Sequence, residues 1–221
     1  MIRKTVLDFS LLSDVPGGSL FWSLRPSVAG PLSAVLPETA SWLYGALYLA
    51  SLIGWDRDTT VPSTNERVAR SAACFRGYLA EFARVDHVVG REFRHKGLSD
   101  VPTLVSSRYP AFHLFRELRN LELHLAPSQL SSREAEFTVG SDTDTTRLKM
   151  VLLLVQDVTL ERLMKLDNSR YYGQESLQKM AEWLQRNQAT WGIGQVIHFV
   201  TEAFAHHVLI EYRRQIGGRT D

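Results

Sequence analysis

The chain has 221 residues with 44% hydrophobic and 22% charged content, enough for a proper core and outside the range of a disordered chain. A single cysteine, Cys74, excludes an internal disulfide framework and fits a reducing compartment. The net charge of +1 excludes a protein that holds nucleic acid by bulk charge, yet the charge is uneven. Residues 67–119 hold ten Lys or Arg against five acids, while both flanks are slightly acidic.

The opening MIRKTVLDFSLLSD interrupts its apolar residues with acids and does not read as a signal peptide. Pro-Gly-Gly at 16–18, Pro26 and Pro31 punctuate residues 1–36, which read as an irregular arm packed on the body. A buried central helix is expected from Pro37 through SWLYGALYLASLIGW, ending by Asp56. This run is shorter than the roughly 20 apolar residues that a membrane span needs, so a cytoplasmic protein with no membrane association is expected.

Ser63 and Glu66 have capping-box spacing and open a long amphipathic helix to about Val89 or beyond, with Val68, Ala72, Phe75, Leu79, Phe82 and Asp86 tracing its period. The Arg residues of this region sit mostly off that stripe. They leave two readings open, a solvated helix face or a phosphate-binding groove. Gly90 to Pro102 reads as a connection.

The next helix is bounded by Pro110 and Pro127. At 100° per residue, Ala111, Leu114, Leu118, Leu121 and Leu125 fall in one core-facing arc of about 80°. The opposite side carries Phe112, His113, Arg116, Arg119, Asn120, Leu123 and His124, a composition that suits an interface or ligand site better than a solvated face.

Beyond Pro127, residues 133–140 and 147–155 flank a turn-rich SDTDTT and predict a small β-hairpin, its second arm running toward a helix near 159–164. Helical spacing returns from Glu175 to Trp191, is interrupted by Gly192 and Gly194, and resumes from Gln195 to about Ile216. The expected architecture is therefore mainly α and a single domain over 1–221. Its parts are an arm at 1–36, core helices at 37–127, a hairpin insertion at 128–158 and C-terminal helices at 159–221.

One constellation carries chemistry. With twenty Arg and seven His in the chain, roughly 0.6 Arg-x4-His pairs are expected by chance, so the two that occur, at 108/113 and 119/124, prove nothing alone. Requiring Asn directly after the Arg lowers the expectation to about 0.01, and only Arg119-Asn120-xxx-His124 remains. His124 can act as base or acid near neutrality, Arg119 can brace a phosphate, and Asn120 can orient the ring or bind a phosphate oxygen. Arg116 and His113 share that side and are candidates for substrate binding. Against this, Arg119 could simply bridge a carboxylate and His124 could cap the helix C-terminus. His198 and Glu202 have the i, i+4 spacing of metal ligands, but no HExxH or paired-cysteine pattern accompanies them, so no metal or cofactor is expected.

RNxxxH at the end of a helix, in an otherwise helical chain of this size, resembles the signature of the HEPN superfamily, the higher eukaryotes and prokaryotes nucleotide-binding domains. The resemblance rests on Arg119, Asn120 and His124 and extends over residues 37–127 plus the late helices. It implies a HEPN-type bundle and metal-independent endoribonuclease activity of the toxin or defence type, with those three residues at the active site. It also implies a homodimer that brings two motif helices onto one RNA, and an antitoxin or nucleotidyltransferase as a further partner. One His is too few for a full acid–base pair, and Arg119 and His124 stand about 140° apart on the wheel, so the chemistry itself calls for a second copy. The alternative is a non-catalytic HEPN-like protein whose same face holds a nucleotide or a partner chain.

Overall fold

The computed structural model describes residues 4–16, 24–53, 64–124, 130–141 and 144–218. Side chains at 64, 65, 67, 123, 124, 137–141, 144–146 and 148–150 lie outside that description. Among the described residues the chain is mainly helical. Helices α1 (Pro26–Val35), α2 (Pro37–Ser51), α3 (Thr64–His95) and α4 (Pro110–His124) precede strands β1 (Leu130–Ser141) and β2 (Asp144–Val155). A short α5 (Leu160–Met164), a 3-10 turn (Asp167–Tyr171) and the long α6 (Gln174–Gly217) complete it.

Where an irregular arm is expected, residues 26–35 instead form helix α1. Pro26 opens it at the first turn, where the missing N–H costs nothing. Pro31 lies inside, and the helix persists because Val28 and Leu32 are buried against the body. The segment before it does lie on the body. Thr5 N–H donates to the Tyr171 carbonyl at 2.7 Å, and Asp8 N–H to that of Arg108 at 2.9 Å.

Helix α2 packs most extensively on α3. It buries Thr39, Ala40, Leu43, Ala46, Leu47 and Ala50, whereas Tyr48 is 65% exposed, so it is not apolar-buried all round. Its N-terminal amides are held by a long-range partner. The Glu92 carboxylate accepts from the N–H of Glu38 at 2.9 Å and of Thr39 at 2.7 Å, filling donors that a local cap would otherwise take.

Helix α3 runs beyond Val89 to His95, so the connection expected from Gly90 begins only after it. Burial of Phe93 and the Glu92 bonds to α2 outweigh glycine's propensity cost of about 1 kcal/mol. Phe75, Leu79 and Phe82 lie on its buried face as the periodicity predicts; Ser63 lies outside the described residues.

The core is aromatic at its centre. Tyr78 stacks on Phe82 at 5.5 Å, and Phe115 of α4 meets both rings edge-on at 6.1 and 6.2 Å. Phe204 of α6 meets Phe82 and Phe112 in the same manner. Thr201 donates to the Ile197 carbonyl at 2.8 Å, so the Tyr78 hydroxyl, 2.9 Å from Thr201 Oγ1, is the donor there.

The hairpin is present and longer than expected, with Leu130 opposite Val155 and Ser141 opposite Asp144 in antiparallel register. Two successive amides of α6 tie it and the arm down. Gln188 exchanges two hydrogen bonds with the backbone of Val155, at 2.9 and 2.8 Å, and Asn187 accepts from Val15 N–H at 2.7 Å. Gly192 breaks α6 with φ 76 and ψ 161, a conformation favouring glycine, and a Cβ there would meet Leu152 at 3.3 Å. The interruption expected at 192–194 is thus one backbone kink that lets β2 approach.

Candidate functional site

Helix α4 sits between α3 and α6, and a connected polar layer runs through it. Its centre is Glu117, 1% exposed. Glu117 Oε2 accepts from Asn120 Nδ2 at 3.2 Å. Glu117 Oε1 lies 3.3 Å from Asn168 Nδ2 and 3.4 Å from the Tyr172 hydroxyl. Burial pushes the Glu117 carboxyl above its ordinary range, and the Asn120 bond opposes that shift.

Asn120 in turn receives Arg119 Nη1 on Oδ1 at 3.4 Å. The bond is long and weak, but it fixes the sense of the Asn120 amide, because Nδ2 is committed to Glu117. Arg119 Nε is buried and has no hydrogen-bond partner among the described residues. A buried unfilled guanidinium donor is costly to keep and is a natural place for an anionic oxygen.

The structure corrects the place of two residues expected on the open side of α4. Phe112 and His113 are both 1% exposed. Phe112 is covered by Phe204 and lies 6.0 Å from His207, while His113 is covered by Tyr172. His113 Nε2 is 2.8 Å from the Ser107 carbonyl and so carries the proton; Nδ1, 3.0 Å from the Tyr172 hydroxyl, accepts. Burial lowers the His113 pKa from its ordinary value. With both nitrogens engaged, His113 braces α4 rather than facing a substrate.

Arg116 is half-buried, and its charge acts on Asp86, His113, Glu117 and Tyr172 together. Asp86 accepts from Leu104 N–H at 2.7 Å, and burial pushes its carboxyl up to about 6. The backbone of His124 is the last residue of α4, but its side chain lies outside the described residues, as do residues 125–129. The structure therefore brings Arg119 onto Asn120, which Glu117 holds, and is silent on the His124 ring.

Asp86, Glu117, Asn168 and Tyr172 are the partners that sequence patterning missed. Glu117 alone had a local signal, since it lies one turn before Asn120 on the same helix.

Elsewhere, a cleft of about 420 Å³ between α1 and α6 is lined by Arg25, His206 and Arg213 over Val28, Phe199 and Leu209. Its Glu202 carboxylate accepts from Arg25. Among the described residues there is no group of three His, Cys, Asp or Glu placed to hold a metal ion, and no helix is long and apolar enough to cross a membrane. No protein-family model, curated protein or solved structure matches the chain.

Proposed function

We propose that the chain is a HEPN-type, metal-independent endoribonuclease whose site is built on Arg119, Asn120 and His124 at the C-terminal end of α4. The observation that carries the reading is the Arg119 side chain, with one donor held by Asn120 and its Nε buried without a partner among the described residues. Such a guanidinium is preorganised for the negative charge that builds on phosphorus during 2′-OH attack. His124 serves as base or acid, and a second copy of the chain supplies the other His and a second Arg across a two-fold axis. The products are a 2′,3′-cyclic phosphate and a 5′-hydroxyl.

Incubation of labelled RNA with the protein in EDTA, followed by analysis of the new ends, tests the chemistry. Mixing wild type with an excess of His124→Ala protein then tests the shared site, because a mixed pair holds one His instead of two and activity falls below the share of wild type added.

The alternative reading is a binding protein without catalysis. It draws on the inward ties of Asn120 to Glu117, which a purely structural polar layer would also make. Binding of RNA with no new ends over the whole course of the same incubation would select it.

A further inference from the structure

Helix α3 presents one exposed face that the site on α4 does not use. At 100° per residue, its exposed positions from Ala69 to Arg94 fall in an arc of about 120°. They are Arg70, Arg76, Arg84, His87, Arg91 and Arg94, separated by Ala69, Ala73 and Ala80; the exposed Glu66 shares this arc one turn before Arg70, and from Arg76 to Arg94 no exposed position is a carboxylate. From Arg76 to Arg94 the stripe is about 27 Å long. A helix face exposed for solubility mixes both signs and pairs them at i, i+4. Here Arg76, Arg84 and Arg94 have no carboxylate partner among the described residues, and Arg91 reaches across to Glu38 on α2.

We infer that this stripe is a track for the sugar–phosphate backbone of single-stranded RNA. Its only apolar side chains are alanines, so it lacks the large anchors that seat a partner protein and the Trp, Phe or Leu that enter a membrane interface. What it offers is a rigid row of guanidinium forks, the group best matched to phosphate oxygens.

One aromatic face stands beside it, since Arg84 lies over the Trp42 ring at 5.3 Å. Basic grooves with aromatic rings are the usual build of a single-strand binder.

Helix α4 packs on the other side of α3 from this stripe, since Tyr78 and Phe82, which meet Phe115, lie about 140° and 180° from its middle. Contacts between α3 and the α4 region step from Asp86 with Leu104 to Phe82 and Tyr78 with Phe115. The C-terminal end of α4, with Arg119, therefore points toward the N-terminal half of α3. The inference rests on the ribonuclease reading for the choice of RNA as the polyanion, and it assigns that RNA its path.

The test is binding of a labelled 2′-O-methyl RNA strand, which 2′-OH attack cannot cleave, measured across a salt series. Wild type is compared with the Arg76→Gln, Arg84→Gln, Arg94→Gln triple variant. A control triple, Arg147→Gln, Lys165→Gln, Lys179→Gln, removes the same charge from other exposed positions. The stripe variant is expected to flatten the slope of log affinity against log salt by about 2, at roughly 0.7 for each lost phosphate contact, while the control keeps the wild-type slope.

Equal binding by wild type and stripe variant overturns the inference, as does an equal loss in the control, which would mean bulk charge. Preference for duplex, or for an acidic polypeptide competitor, overturns it as well. Because the strand is not cut, a protein that cleaves no RNA but loses binding through the stripe leaves the inference standing and removes the ribonuclease reading. Cleavage that is intact while stripe substitutions change nothing does the reverse.

Discussion

Nδ1 of His113 accepts from the hydroxyl of Tyr172 at 3.0 Å, because the opposite nitrogen is committed as a donor to the Ser107 carbonyl. The same hydroxyl lies 3.4 Å from Glu117, so one phenol joins the brace of α4 to the carboxylate that holds Asn120. Tyr172→Phe leaves a buried acceptor on His113 unfilled and is expected to cost about 1–3 kcal/mol in urea unfolding. A change below about 0.5 kcal/mol would mean that the hydroxyl contributes no net bond.

The ring that receives this bond is neutral in the fold, which fixes a pH dependence. The His113 pKa is lowered from its ordinary 6.5, first by burial and then by Arg116, with the Ser107 bond opposing. A base depressed in the folded state contributes stability above the unfolded pKa and loses it as pH falls through the folded one. Stability of wild type relative to His113→Gln should therefore decline below about pH 6.5, as measured by thermal unfolding across pH.

Asp86 titrates in the opposite sense. Burial raises its carboxyl to about 6, with the Leu104 N–H and Arg116 opposing, so the folded state binds the proton more tightly than the unfolded chain. Its contribution is full below the unfolded pKa of about 4 and falls as pH rises to about 6, by at most roughly 3 kcal/mol. Asp86→Asn removes that slope, and the difference between the two proteins isolates it from Glu117, which is raised in the same direction.

Much of this frame was written in the sequence, and the exceptions have a common cause. Pro110 marked the start of α4, and the alternation at 133–155 marked the hairpin, because both signals are local. Proline and glycine misled where distant packing outweighed them. Helix α1 holds Pro31 because Val28 and Leu32 are buried, and α3 crosses Gly90 because Glu92 and Phe93 are engaged by other elements. The helical wheel put His113 and Phe112 on the open side of α4. Tyr172 and Phe204, about 60 and 90 residues later in the chain, cover them, and no helical period encodes that. The pairing of Arg119 with Asn120 was legible as a motif, whereas its support by Asn168 and Tyr172 needed the fold.

Glu117 gives a prediction that separates support from stability. Its two oxygens accept from Asn120 and Asn168, with the Tyr172 hydroxyl 3.4 Å away, and Glu117→Gln turns one acceptor into a donor. If that donor meets Asn120, the Asn120 amide must turn and present Nδ2 to Arg119, where two donors repel. Unfolding free energy should change by about 1 kcal/mol while RNA cleavage falls about ten-fold. Equal cleavage by the two proteins would remove Glu117 from the site.

Gly192 tests the kink that admits the hairpin. At φ 76 and ψ 161 any side chain is strained, and the new Cβ would press on Leu152. Gly192→Ala is expected to destabilise by about 1–3 kcal/mol, and a neutral result would show that α6 can straighten without losing β2.

The account stands or falls on whether Arg119 acts on RNA. The most direct measurement is the single-turnover cleavage rate of a labelled RNA in EDTA by wild type and by Arg119→Ala, with folding checked by circular dichroism. A loss of about 10²–10³ in rate is predicted, the scale of one preorganised charge-stabilising group. Equal rates for the two proteins, or no cleavage by wild type across RNAs of diverse sequence, would contradict it.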